Sequence, residues 1–175
     1  MTVQTKIKTK RYLVYALIIF LAHILQNTVS VFPQIASVKP LLLISVAVCI
    51  SMFEGEIVGA VAGLLAGILW DTVTVTADGY NALYLMLACA ICGVLLRIFM
   101  RNNIVTYLIM NSGITAVYLV TYVLFFISAR DIDDAGHIFI RYYLLMGVYS
   151  LAFTPLWYII IRTIYRKFSF DYTEY

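Results

Sequence analysis

The chain is poor in charge. Asp, Glu, Lys and Arg make up 12% of its 175 residues, about half the share of an ordinary soluble domain. It has little histidine and cysteine, with two and three residues respectively. No interval between its apolar runs is long enough for a soluble domain. No alternation of polar and apolar residues marks out strands, which excludes a membrane β-barrel. No P-loop is present, so the chain does not hydrolyse nucleotide on its own, and no nucleic-acid-binding motif is present. Cys49, Cys89 and Cys92 all lie inside apolar runs. The C-x-x-C of Cys89 and Cys92 would suggest redox or zinc chemistry in a soluble chain. Without a second ligand pair or a neighbouring histidine, it reads as small apolar packing.

What the chain has is apolar length. Hydrophobic residues make up 63% and the mean hydropathy is +0.95. Runs able to cross a bilayer core of about 30 Å recur from end to end. Lipid offers backbone groups no water, so these runs must be helices. The expected fold is an all-α integral membrane protein, a compact bundle of about six transmembrane helices. The runs fall at 12–32, 40–53, 57–70, 80–100, 104–128 and 138–161, the second and third being short. Pro40 suits a first helical turn and Pro155 should kink the last span. The basic residues before the first run fit a signal peptide, but no small-x-small cleavage site follows, so the run reads as an uncleaved span. The expected organisation is a basic cytoplasmic N-terminus at 1–11, one transmembrane domain at 12–164 and a cytoplasmic tail at 165–175.

Topology follows from basic residues. With six crossings and the N-terminus inside, nine of the twelve lie inside and Lys39, Arg130 and Arg141 lie outside. Merging the second and third runs gives an even split, so the positive-inside rule favours six crossings with both termini in. A re-entrant hairpin in place of two short spans gives the same sides. The net charge of +3 comes from inner flanks that suit an anionic leaflet. The expected outer loops are acidic, with Asp71 and Asp78 in one and Asp131, Asp133 and Asp134 in another.

Three groups of residues stand out. His23, Gln26 and Asn27 share one face of the first span, and Asn111, Ser112 and Thr115 form a similar patch on the fifth. Polar groups in a membrane face the bundle interior, either in interhelical hydrogen bonds or in a pocket for a small solute. Neither patch makes a protease site: Asn111-Ser112-Gly113 lacks the glycine-x-serine-glycine context, His137 belongs to an outer loop, and no aspartate lies in mid-span. The second group is a row of glycines, Gly55, Gly59, Gly63 and Gly67, one every four residues. In lipid, small residues bring helices together by letting backbones approach. The row therefore predicts tight packing, within the chain in preference to a partner. The third is Asp71, an anion at a helix C-terminus, where it opposes the helix dipole. It is either solvated or held by Arg141 or by a backbone N–H of the 72–76 loop. Asp78-Gly79 should turn the chain and Asn81 should cap the fourth span.

The order of these features resembles a known family. A first span with Gln26 precedes Lys39-Pro40-Leu41-Leu42-Leu43, Glu54-Gly55-Glu56 and the glycine row. Asp71, Gly79-Tyr80-Asn81-Ala82-Leu83 and a late Pro155 follow. The chain resembles MreD, the small membrane subunit of the bacterial rod-shape machinery, most densely over 39–96. The resemblance implies a non-enzymatic scaffold of the bacterial cytoplasmic membrane without cofactor or metal. It implies work with MreC, and with MreB, RodA and a class B penicillin-binding transpeptidase, in lateral peptidoglycan synthesis. The family is also similar in fold to the substrate-binding subunits of energy-coupling-factor transporters. The alternative expectation is therefore a vitamin-binding subunit with His23, Asn27 and Asn111 near its pocket.

Overall fold

The computed structural model describes residues 3–28, 40–74, 79–99, 102–127 and 145–170. Within them the chain forms six helices and no strand. These are α1 (Val3–Asn27), α2 (Leu42–Glu54), α3 (Glu56–Asp71), α4 (Tyr80–Phe99), α5 (Ile104–Tyr122, continued by a π-helical segment Val123–Ile127) and α6 (Leu145–Phe170). Three helical stretches, Tyr80–Ile98, Ile104–Phe125 and Leu145–Phe168, are long and apolar enough to cross a membrane. Lys39, Asp78, Asp131, Asp133, Asp134, His137, Arg141 and the start of the sixth apolar run lie outside the described residues. Two boundaries differ from the apolar runs. Helix α1 extends back to Val3 through the basic segment, because Lys, Gln and Arg are good helix formers. Helix α6 continues to Phe170, with Pro155 inside it.

The centre of the bundle is α2. Every residue from Leu42 to Met52 is buried, as expected of a helix apolar on all sides. Around it pack α1, α3, α4, α5 and α6. Helix α1 contributes a stripe at helical spacing, Tyr15, Ile18, Ile19, Ala22 and Gln26, while Leu13, Leu17, Phe20 and Leu21 face outward.

The second and third runs are two helices joined by one residue. Gly55 has φ +88°, a conformation that costs a Cβ-bearing residue. Its N–H donates to the Ser51 carbonyl at 2.9 Å, and its own carbonyl accepts from Gly59 N–H at 2.9 Å. It thus ends one helix and opens the next. At 13 and 16 residues these helices are about 20 and 24 Å long, short of a full apolar core.

Candidate functional site

The glycine row lies in a seam between α3 and its neighbours. A Cβ on Gly59 would fall on Ser51 of α2, one on Gly63 on the Leu85 carbonyl of α4, and one on Gly67 on the backbone of Asn81 and Ala82. The Ser51 hydroxyl continues across, donating to the Cys89 carbonyl at 2.5 Å, so one small residue ties α2 to both helices of the seam. Gly55 stands apart from the row. No atom of the described residues lies within 4 Å of its Cβ position, and the same holds for Gly79, at φ +86°. Both glycines are required for backbone conformation, not for close approach.

One member of the seam went unnoticed in the sequence. A Cβ on Gly93 of α4 would stand 2.6 Å from the Glu56 Cα and N atoms. From the α4 side the contact positions are Ala82, Leu85, Cys89 and Gly93, at steps of three and four. Setting Cys89 and Gly93, four residues apart, on one face of α4 would have exposed that register. Cys89 and Cys92 are buried in α4. No group of three His, Cys, Asp or Glu side chains able to hold a metal occurs among the described residues.

Asp71 holds the end of the seam away from Gly55. Its two carboxylate oxygens accept from Asn81 N–H at 3.2 Å and Ala82 N–H at 3.0 Å. These are first-turn amides of α4, which have no partner within their own helix. An anion there also meets the positive end of the dipole. Asp71 therefore caps the following helix from the end of the preceding one. Asn81 does not act as the cap. It is fully buried inside α4, where its Oδ1 accepts from the Tyr118 hydroxyl at 2.8 Å and its Nδ2 donates to Thr74 Oγ1 at 3.2 Å. The Trp70 ring lies 5.1 Å from that of Tyr118, so the end of α3 is packed as well as capped.

The two polar patches go to different places. Gln26 Oε1 accepts from Leu43 N–H at 3.0 Å, and Ser150 Oγ from Leu41 N–H at 2.7 Å. Helix α2 begins deep in the bundle, and side chains of α1 and α6 satisfy its first amides. Asn111 Nδ2 donates to Ser45 Oγ at 3.0 Å and to Thr154 Oγ1 at 2.9 Å, joining α5 to α2 and α6. Tyr107 adds a bond to the Ser45 carbonyl at 2.6 Å. His23 and Asn27 bond to one another, with Asn27 Nδ2 also donating to the His23 carbonyl at 2.9 Å. The structure therefore does not gather His23, Asn27 and Asn111 around one cavity.

At the opposite end from Asp71, the turn at Gly55 carries two ion pairs. Arg11 donates to Glu54 at 2.8 Å with both side chains more than nine-tenths buried, and Tyr15 donates to the other Glu54 oxygen at 2.9 Å. The Arg11 guanidinium also lies over the Tyr165 ring at 5.3 Å. Burial pushes the Glu54 carboxyl above its ordinary range, against the opposing pull of Arg11 and Tyr15. Arg97 of α4 reaches Glu56 at 2.7 Å on the surface. Asn102 Nδ2 donates to the Met52 carbonyl at 3.3 Å.

Gln26, Asn81 and Asn111 thus join helix to helix, and Asp71 joins helix end to helix end. No curated protein and no solved structure matches the chain. A family model described as rod shape-determining protein MreD matches residues 7–168, nearly the whole length and every helix described above. The chain belongs to the MreD family of rod shape-determining proteins.

Proposed function

We propose that this protein is a non-enzymatic scaffold subunit of the rod-shape complex in the bacterial cytoplasmic membrane. In this reading it crosses the bilayer six times with both termini inside and acts chiefly with MreC. RodA, a class B penicillin-binding transpeptidase and MreB are further members of the same assembly. Family membership supports the rod-shape role. The observation that carries the scaffold reading is the use made of the polar side chains. Asp71, Gln26, Ser51, Asn81 and Asn111 each bridge separate elements, which is the pattern of a rigid body offering its outer surface to partners. The vitamin-binding alternative draws less support, because its three candidate residues bond elsewhere.

Affinity purification from bacterial membranes should recover MreC with the wild-type chain. A stoichiometric bound vitamin with no MreC would favour the transporter reading instead. Topology has its own test in a background without native cysteines. Val73→Cys, at an exposed position after α3, should react with a membrane-impermeant thiol reagent applied outside, and Asn102→Cys should be spared. The reverse pattern would contradict the orientation.

A further inference from the structure

Helix α3 runs the length of α4 in the opposite direction. Gly67 backs onto Ala82, Gly63 onto Leu85, and Gly93 of α4 onto Glu56. Helix α4 is long and apolar enough to cross a membrane, so α3 crosses whatever α4 crosses and does not turn back halfway. Charge marks both ends of the pair. At one end Glu56 meets Arg97 and, on the other side of Gly55, Glu54 meets Arg11, so four helices bring charge to one level. At the other end Asp71 holds the amides of Asn81 and Ala82. Fifteen residue steps separate Glu56 from Asp71, fifteen separate Ala82 from Arg97, and neither interval contains a charged residue. Each is about 22 Å at 1.5 Å per residue, against a bilayer core of about 30 Å.

We propose that the α3 side of this protein is a surface for thinned lipid, drawing the bilayer beside it down to a hydrocarbon thickness of about 22 Å. The proposal rests on the reading that these helices cross the membrane, and adds what they do to it.

Three observations carry it. The first is that the charged ends are held. The Asp71 side chain is short and is turned back onto α4 by two hydrogen bonds, and Arg97 is engaged by Glu56 at 2.7 Å. A charge in hydrocarbon is costly, so the lipid surface must come to both ends. Tilting α3 would only shorten its reach further. The second is the outward face. Ile57, Val61, Leu65 and Ile68 form one exposed stripe, about 16 Å from end to end. The small residues that draw membrane helices together, Gly59, Ala62, Gly63, Ala66 and Gly67, are buried on the other face. The stripe therefore offers aliphatic bulk, which suits lipid and not a closely packed helix. The third is the contrast with α5. Its exposed stripe runs from Val105 through Ile109, Val117 and Val120 to Phe125, about 30 Å, and no charged residue occurs from Ile104 to Ile127. That side matches an ordinary core. The shortfall belongs to one side of the molecule and cannot be removed by seating the whole bundle higher or lower.

The test is depth measurement with nitroxide labels on single cysteines, in a background without native cysteines. The full chain is reconstituted in vesicles of phosphatidylethanolamine and phosphatidylglycerol with 18-carbon chains. Ile57→Cys and Ile68→Cys report α3, and Val105→Cys and Phe125→Cys report α5. The two depths on one helix, added to the distance between its labels, give the local hydrocarbon thickness. The expected values are about 22 Å at α3 and about 30 Å at α5. Glu56→Leu with Arg97→Leu removes an exposed pair of little weight in stability. It should thicken the α3 side by one helical turn, about 5 Å, and leave α5 unchanged. About 30 Å at both helices, or no response to the double replacement, would overturn the proposal. Loss of oxygen access to labels at Val61 and Leu65 would overturn it too, because a second copy would then cover the face. The crossing is decided separately by thiol labelling of Val73→Cys and Asn102→Cys. Labelling from the same side removes the crossing and the thinning together. Labelling from opposite sides, with about 30 Å at α3, removes the thinning alone.

Discussion

Helix α4 has two long sides with opposite character. On the α3 side, Gly63, Gly67 and Gly93 bring backbone against backbone, and the chain's own atoms take the place of each missing Cβ. On the α5 side, the two helices stand apart around Gly113 and the space is left open. Both sides are apolar and both carry a glycine. Composition alone does not separate an internal seam from an open groove. The atoms beyond each glycine do. Where backbone lies there, the glycine holds the fold together. Where no described atom lies there, the glycine leaves space beside the helix.

The comparison can be broken hardest at Gly67. A leucine there adds four heavy atoms against the Ala82 backbone, which cannot rotate aside. The cost should exceed the ~1–3 kcal/mol typical of overpacking. Gly67→Leu should therefore fail to accumulate, as read by immunoblot of membranes. Wild-type abundance would mean that α3 and α4 do not meet as described.

The turn at Gly55 closes the opposite end of the bundle with charge, through the pairs at Glu54 and Glu56. Removing one partner of a buried pair costs about 3–5 kcal/mol, so Arg11→Met should markedly lower detergent stability. Uptake of a proton by Glu54 limits that loss. Burial already raises the folded-state pKa of Glu54, and removing Arg11 should raise it further. The neutral form is then the stable one in the fold. Stability should be fully present below the unfolded value of about 4.3 and fall as pH rises through the raised folded value. An Arg11→Met variant whose melting temperature does not recover on acidification would contradict this account of the pair.

Asp71 gives a smaller effect. Asp71→Ala leaves two amides of α4 without acceptors and should cost about 1–2 kcal/mol, the range of a strong helix cap. Asp71→Asn keeps one acceptor and should recover part of it. Thermal unfolding in detergent decides the order of the two variants.

How much of this was legible in the sequence depended on the range of each interaction. The helices and the close face of α3 follow from apolar length and from glycine spacing, which are local. Partners were not legible. Asp71 reaches ten residues ahead to cap α4, whereas sequence reasoning looked to Arg141 or the intervening loop. Gln26 and Ser150 satisfy the first amides of α2 from 17 and 109 residues away. Asn81 looked like a local cap because Asn favours that role, but the Tyr118 hydroxyl draws it into the core. Gly93 was overlooked because α4 interleaves its small residues with leucines. Gly55 was grouped with the packing glycines, although spacing does not report the sign of φ.

The most direct test of the central claim is a paired measurement at Gly63 and Gly113. A leucine at Gly63 meets the Leu85 carbonyl, and a leucine at Gly113 meets open space. Leu65→Gly, on the exposed side of α3, is the control for helix propensity, at about 1 kcal/mol or less. Detergent melting curves should show a large fall for Gly63→Leu, a small one for Leu65→Gly and none for Gly113→Leu. Equal melting temperatures for the Gly63→Leu and Gly113→Leu variants would contradict the account, because the two sides of α4 would then not differ in what fills them.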